Sequence, residues 1–158
     1  KERVHLSFRR IAVGDADRLA ALRNADDTWE WFFSKRRFTG EETARWIAGL
    51  DPEREQVYMV EERGVVAGTC ALYEIDSAGR SAEVGRIIVA APFRRRGLGE
   101  IMVREMIDRG LSLGLDLLYA NIMRENEASR KLFSKCGFRL ACDGAEGSLR
   151  YEFRRSDR

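Results

Sequence analysis

A basic, glycine-containing turn is the stretch whose residue types best suit ligand binding: Arg94-Arg95-Arg96-Gly97-Leu98-Gly99. It follows the apolar run 86–91 and precedes a segment with apolar residues at helical spacing. Glycine lets the backbone come close to a ligand, and the free N–H groups and dipole of a helix N-terminus favour an anion. Arginine adds forked donors that match phosphate oxygens. The turn therefore predicts a site for a phosphate-bearing ligand, with a solvated basic loop as the alternative.

Several β-like and helix-like runs surround this turn and must position it. The predicted strands cover residues 4–8, 56–62, 65–75, 82–90, 115–123, 138–142 and 148–154, and the predicted helices cover 15–24, 39–50, 97–114 and 126–136. This order predicts an α+β fold, a three-layer arrangement in which a mixed, mostly antiparallel seven-stranded sheet carries about four helices. A central strand–helix–strand crossover spans residues 82–123. The aromatic segment 29–38 fits neither pattern.

Composition limits the class of protein. A chain of 158 residues with 44% hydrophobic residues predicts one domain, residues 1–158, with one core. Its net charge of +2, with both signs mixed among 34% charged residues, predicts no nucleic-acid partner. No run is long and apolar enough to predict a membrane partner. Three cysteines without paired spacing favour reduced thiols and a cytoplasmic protein.

Other ligand chemistries lack their motifs. No phosphate-binding loop of the GxxxxGK[ST] type occurs, and a dinucleotide fingerprint would need a third glycine where Met102 stands. His5 is the only histidine, and the cysteines lack the spacing of metal ligands. We therefore expect no metal.

A second motif follows the turn. It reads Asn126-Glu127-Ala128-Ser129 and then Leu132-Phe133-Ser134-Lys135-Cys136-Gly137-Phe138. In their order and separation the two blocks resemble the GNAT superfamily of acetyl-CoA-dependent N-acetyltransferases, and the likeness covers roughly residues 80–140. The pattern looks most like the branch that holds ribosomal-protein N-terminal and bacterial amino-sugar acetyltransferases. Since dimers are frequent in that family, the resemblance also suggests a homodimer.

The resemblance implies how acetyl-CoA would bind. Its diphosphate would lie on the N–H groups of residues 95–99, with Arg94 opening the loop. The preceding strand would pair with the pantetheine arm, and main-chain N–H groups at Ile88 and Val89 would polarise the thioester carbonyl. Asn126 would bond the same arm, although asparagine is also a common helix N-cap. The implied cofactor-binding residues are Ile87, Ile88, Val89, Arg94, Arg95, Arg96, Gly97, Leu98, Gly99, Asn126, Ser129 and Phe133.

The implied reaction is the attack of a neutral amine on a thioester, which needs a proton acceptor. Glu83, on the strand before the turn, is the candidate base, acting through water. The alternative is a surface carboxylate. Many family members protonate the departing thiolate with a tyrosine where this chain has Phe133. A thiol with a pKa of roughly 8.5 can leave as thiolate; Tyr119 or Tyr73 could substitute, although packing roles are the simpler interpretation.

The aromatic segment lies where the family builds its acceptor wall. Its large residues are Trp29, Trp31, Phe32, Phe33 and Phe38. Arg36 and Arg37 beside them could meet an anionic acceptor such as a nucleotide-linked sugar or a carboxylate, against the simpler interpretation of core packing and solvated charge. We expect direct acetyl transfer to a small-molecule primary amine, such as an amino sugar, in a ternary complex. A protein N-terminal acetyltransferase and a non-catalytic CoA-binding module are the alternatives.

Overall fold

The computed structural model describes residues 4–25, 27–32 and 36–158. Within these ranges one seven-stranded sheet has the order β1-β2-β3-β4-β5-β7-β6. The strands are β1 (Ser7–Arg10), β2 (Gln56–Glu62), β3 (Val65–Asp76), β4 (Ser81–Val89), β5 (Leu117–Ile122), β6 (Arg139–Asp143) and β7 (Leu149–Arg154). The helices are α1 (Ala16–Asn24), α2 (Gly40–Ala48), α3 (Leu98–Ser112) and α4 (Glu127–Lys135). Only β4 and β5 pair in parallel, so the predicted mixed sheet and central crossover are confirmed.

Most predicted bounds differ from the observed ones by one or two residues. The first strand is the exception, because it begins at Ser7 instead of residue 4, although Val4 and Leu6 still pack against the core. In its described residues, the untyped aromatic segment contains a 3-10 turn, Trp29–Trp31. Phe33 lies outside the described residues.

Local sequence signals explain where elements begin and end. The Thr39 hydroxyl accepts a hydrogen bond from the N–H of Glu42 at 3.0 Å, and the Glu42 carboxylate returns to the Thr39 N–H, so a capping box starts α2. Gly137, with φ of +96°, follows α4 in the left-handed conformation that commonly ends helices. Among the described residues no helix is both long and apolar enough to cross a membrane.

The main core lies between one face of the sheet and the helices α3 and α4. Alternate residues of the central strands, such as Leu72, Val84 and Leu118, pack there against Met102 and Met106. Residues of the opposite parity, including Ala71 on β3, are also buried. Helices α1 and α2 pack against each other, and their buried residues, such as Leu19 and Ile47, lie outside the main core. Both faces of the central strands are therefore covered, as a three-layer fold requires.

The sheet opens between β4 and β5. Parallel pairing covers only Ser81 with Leu117, Ala82 with Leu118, and Glu83 with Tyr119. Beyond Glu83 the register of β4 with β3 shifts, and Arg86 adopts a positive φ of 53°. Such a bulge bends its strand and increases the local twist. The carboxyl-terminal halves of β4 and β5 therefore diverge and leave a gap.

Close packing of β3, β4 and α3 behind this gap depends on Gly68. A Cβ there would clash with the carbonyl oxygen of Ile88 and lie 2.8 Å from the terminal methyl of Met102. We expect Gly68→Ala to lower the free energy of unfolding by about 1–3 kcal/mol, because overpacking forces backbone shifts. Chemical denaturation measures this. Gly14→Ala is the control, since a Cβ there meets nothing within 4 Å. Equal stability of the two variants would contradict the described packing.

Candidate active site

The gap between β4 and β5 opens into a cleft of about 520 Å³. At one end it is bounded by the start of α4, and at the other by α1 and the aromatic segment. Of the residues predicted to bind cofactor, the cleft is lined by Ile87, Ile88, Val89, Arg94, Asn126, Ser129 and Phe133. The second motif therefore meets the end of β4 at this cavity, whereas Arg94 alone lines it from the first motif. The predicted residues Arg95, Arg96, Gly97, Leu98 and Gly99 lie outside its lining.

The predicted phosphate turn has the backbone shape of an anion site. Gly97 precedes α3 with φ of +79°, and Arg95 also has a positive φ, of 63°. Within the described ranges no hydrogen-bond acceptor takes the N–H of Arg95, Gly97, Leu98 or Gly99. The first N–H groups of a helix lack partners inside it, so these donors can serve an anion.

Two of the three arginine side chains of the turn, Arg94 and Arg96, are engaged with acidic or backbone partners. The Arg94 guanidinium donates to the carbonyl of Val89 at 3.0 Å and forms an ion pair with Asp27, whose pKa it lowers. Arg96 forms an ion pair with Glu62 at 2.8 Å. Arg94 thus fastens the turn to the end of β4 and to the other end of the cleft. We therefore expect an anion at this turn to bind mainly to the backbone N–H groups.

Three further predicted residues, Asn126, Phe133 and Gly99, have structural roles. The Asn126 side-chain oxygen accepts the N–H of Ser129 at 3.2 Å, so Asn126 is the N-cap of α4. Among the described residues no acceptor is recorded for its side-chain amide protons, which leaves them for a ligand. Phe133 is buried and packs edge-on against Phe138, with ring centroids 5.0 Å apart. Gly99 faces Leu132, so it also lets α3 approach α4.

Glu83 is a buried carboxyl group, with only 9% of the residue exposed. Its Oε2 accepts a hydrogen bond from the Tyr73 hydroxyl at 2.6 Å, and Asn121 lies beside it. Burial raises the pKa of Glu83 above the usual value of 4.5. The surface-carboxylate alternative therefore does not hold. Tyr73 and Asn121 line the cleft, and Glu83 lies behind them.

Tyr73 lies between Glu83 and the cleft. The sequence alone did not indicate this position. Its hydroxyl fits beside Gly85, where a Cβ would lie 2.6 Å from the oxygen. The Arg86 guanidinium lies over the ring, 4.2 Å from its centroid. Burial and the neighbouring Glu83 charge raise the pKa of Tyr73 far above 10, so it is a neutral donor. Tyr119, the other tyrosine considered, lies under Arg150 and lines a separate surface cleft.

The other end of the cleft is aromatic and basic. Trp31 and Phe32 line it together with Arg23, which lies over the ring of Phe32 at 5.0 Å. Arg36, a predicted acceptor contact, lines a smaller adjoining cleft and pairs with Glu42 at 2.9 Å. Arg37 lies over the ring of Trp29 at 5.5 Å. Sequence reasoning thus found the segment but missed Arg23 and Arg86, which also line the main cleft.

Metal chemistry has no evident position in the described part of the chain. No group of three or more His, Cys, Asp or Glu side chains there could hold a metal ion.

Solved structures with the same fold come from several kinds of protein. The spermidine N-acetyltransferase of Vibrio cholerae, solved with CoA and spermine, has a TM-score of 0.86 at 21% identity, covering 96% of both chains. A domain from Methanocaldococcus jannaschii has a TM-score of 0.85 at 20% identity, covering 96% of this chain and 99% of the other. The aminoglycoside acetyltransferase AAC(6')-Ib, solved with coenzyme A, has a TM-score of 0.83 at 16% identity, covering 97% and 96%.

No curated protein sequence is significantly similar to this chain. The family comparison is decisive, because residues 5–139 match the acetyltransferase (GNAT) domain. This range includes both sequence motifs and ends at the start of β6. The chain therefore belongs to the GNAT acetyltransferases, the acyl-CoA-dependent N-acetyltransferases that its two motifs resemble.

Proposed function

We propose that this protein transfers an acetyl group from acetyl-CoA to the primary amine of a small molecule, by direct attack in a ternary complex. The observation that carries the proposal is the gap between β4 and β5 beside the open N-terminus of α3. The Vibrio cholerae enzyme was solved with CoA and spermine, and the aminoglycoside enzyme was solved with coenzyme A; both support the donor and the acceptor class proposed here.

The residues present fit acetyl-CoA. The unpaired N–H groups at Gly97, Leu98 and Gly99 would hold its diphosphate, and the unpaired edge of β4 from Ile87 to Val89 would pair with the pantetheine arm. Asn126 would add its free side-chain amide. When bound, acetyl-CoA supplies an acetyl group activated as a thioester. The main-chain N–H groups of Ile88 and Val89 would stabilise negative charge on the carbonyl oxygen.

Tyr73 and Glu83 would form the route for the proton of the attacking amine. As the new N–C bond forms, the Tyr73 oxygen accepts a proton from nitrogen and passes its own to Glu83 across the 2.6 Å hydrogen bond. This arrangement differs from our sequence expectation of a water between Glu83 and the amine, because Tyr73 occupies the position in front of the carboxylate. The raised pKa of Glu83 brings its basicity closer to that of a useful general base.

The leaving group would depart as a thiolate. Phe133 packs against Phe138 and has no proton to give. A thiol with a pKa of roughly 8.5 is stable enough as an anion to leave, and it then takes a proton from solvent. The proton held by Glu83 returns to solvent through Tyr73.

The acceptor end of the cleft favours a small amine. Trp31, Phe32 and Tyr73 form an aromatic wall there, and such walls suit compact ligands. An amino sugar or a similar amine fits this description. A protein N-terminus is the alternative acceptor, favoured by a flat and open groove.

An acceptor screen with acetyl-CoA, which follows release of free thiol, tests the proposal. We expect turnover with small primary amines and little with short peptides. Peptides alone as acceptors would identify a protein N-terminal acetyltransferase. Tight CoA binding in calorimetry without turnover of any acceptor would identify a non-catalytic module.

A further inference from the structure

We propose that the acceptor amine carries an oxyanion, a carboxylate or a phosphate, which binds to Arg23 with Arg86 beside it. This inference rests on the proposed acetyltransferase function and names its substrate class. It differs in charge from spermine, which the Vibrio cholerae enzyme was solved with.

Arg23 is the residue that carries the inference. It projects from the last turn of α1 into the cleft. Within residues 4–25, 27–32 and 36–158 its guanidinium makes no hydrogen bond or ion pair, and its Nε is buried without a partner. Two aromatic rings hold the group instead, with Phe38 at 4.1 Å and Phe32 at 5.0 Å. A guanidinium has five N–H donors, so one that faces a cleft with none satisfied is suited to an anion.

The other charges of the cleft are already balanced. Asp27 is engaged by Arg94, and Arg86 is paired with Glu55 at 2.7 Å. Among the charged side chains that line the cleft, Arg23 is the one that no described carboxylate neutralises. Burial, together with the neighbouring positive charges of Arg86 and Arg36, lowers the pKa of Arg23, so the surroundings of Arg23 disfavour its positive charge. An anion from the ligand would relieve both effects.

The position of this pair relative to Tyr73 fixes where the anion would lie. The Arg86 guanidinium lies 4.2 Å from the centroid of the Tyr73 ring and 5.1 Å from that of Trp46. Arg23 lines the main cleft and also the smaller cleft beside Trp46. An acceptor with its amine at the Tyr73 hydroxyl would therefore place a substituent toward Arg23. A polyamine in the same place would bring positive charge against two arginines.

Matched pairs of acceptors test the inference. We expect higher kcat/KM for 2-aminoethyl phosphate than for ethanolamine, and for 6-aminohexanoate than for hexylamine, by about tenfold or more. The pair with the larger difference identifies phosphate or carboxylate as the group. Spermidine is expected to be a poor acceptor.

Variants then assign the preference to Arg23. In Arg23→Gln, with KM for acetyl-CoA unchanged, we expect a higher KM for the anionic acceptor and loss of its advantage over the neutral amine. Arg23→Lys should recover part of it. Arg139→Gln is the control, because that side chain is 80% exposed on β6; it should match the wild type. A preference for neutral amines or spermidine, or one that survives in Arg23→Gln, would overturn the inference.

Binding without turnover separates this inference from the proposed function. Ligand-observed NMR on the CoA-loaded protein should detect 2-aminoethyl phosphate or 6-aminohexanoate with the wild type, and neither with Arg23→Gln. If neither binds the wild type, the oxyanion subsite is wrong even where other amines are acetylated. If CoA itself does not bind, the proposed function fails first, and the inference fails with it.

Discussion

Glu83→Gln is expected to lower kcat by about 100-fold or more, since a positioned general base contributes 10²–10⁴-fold. Glutamine keeps the size of the side chain and an oxygen that accepts from Tyr73, but it cannot take a proton. The affinity for CoA should not change, because Glu83 lies behind the cleft wall formed by Tyr73 and Asn121. Steady-state rates from thiol release, with calorimetry for CoA, measure both quantities.

The pH dependence gives the same variant a second readout. Burial raises the pKa of Glu83, so the wild-type kcat/KM should fall as pH drops through a value above the usual 4.5, and Glu83→Gln should lose that limb. The same shift means that keeping Glu83 ionised costs folding free energy as pH rises through its pKa. The variant should therefore be at least as stable as the wild type at neutral pH, which separates lost chemistry from unfolding.

Tyr73→Phe is the partner experiment. If the proton passes through the Tyr73 hydroxyl, this variant should be nearly as slow as Glu83→Gln, and the double variant should be little slower than either. Glu152→Gln is a matched control, because that carboxylate pairs with Arg150 on β7, outside the cleft. Full activity of Glu83→Gln from acidic to alkaline pH would remove Glu83 from the mechanism.

Gly97→Asp is expected to weaken CoA binding by about 10- to 100-fold. A carboxylate at the N-terminus of α3 would lie against the diphosphate, and like charges a few ångströms apart near a protein surface repel by about 1–3 kcal/mol. A Cβ at Gly97 meets no atom within 4 Å, so steric collision is not the cause. Isothermal titration calorimetry with CoA measures the change.

Gly97→Asn is the control for backbone strain. Asparagine has nearly the shape of aspartate without its charge, and it tolerates the positive φ of 79° better than most residues. We expect it to retain most of the CoA affinity. Equal losses in Gly97→Asp and Gly97→Asn would attribute the effect to strain and would argue against an anion at this turn.

The sequence predicted the parts of this structure that depend on local pattern. Strand alternation and helical spacing gave the seven strands and four helices, and caps such as Thr39 and Gly137 have local signals. The motif at residues 94–99 indicated a helix start with free N–H groups, which the structure contains. These features need only neighbours in the chain, so single-sequence reasoning reaches them.

Contacts across the sheet could not be predicted from the sequence, because they join residues that are far apart in the chain. Tyr73 stands opposite Glu83 only because the turn between β3 and β4 and the bulges beyond it fix the register. The bulge at Arg86 has a positive φ on a non-glycine residue, which no local motif indicates. Arg23 reads as an ordinary polar helix residue until the aromatic segment folds against it. The cofactor contacts were therefore predicted from motifs, whereas the residues at the acceptor end of the cleft were identified only in the structure.

A crystal structure of the protein with CoA tests the central claim most directly. We expect the diphosphate within hydrogen-bond distance of the N–H groups of Gly97, Leu98 and Gly99. The pantetheine arm should lie along Ile87–Val89 in the gap beside β5, with the sulfur facing Tyr73. CoA bound anywhere else on the protein, with this turn and gap empty, would contradict the account.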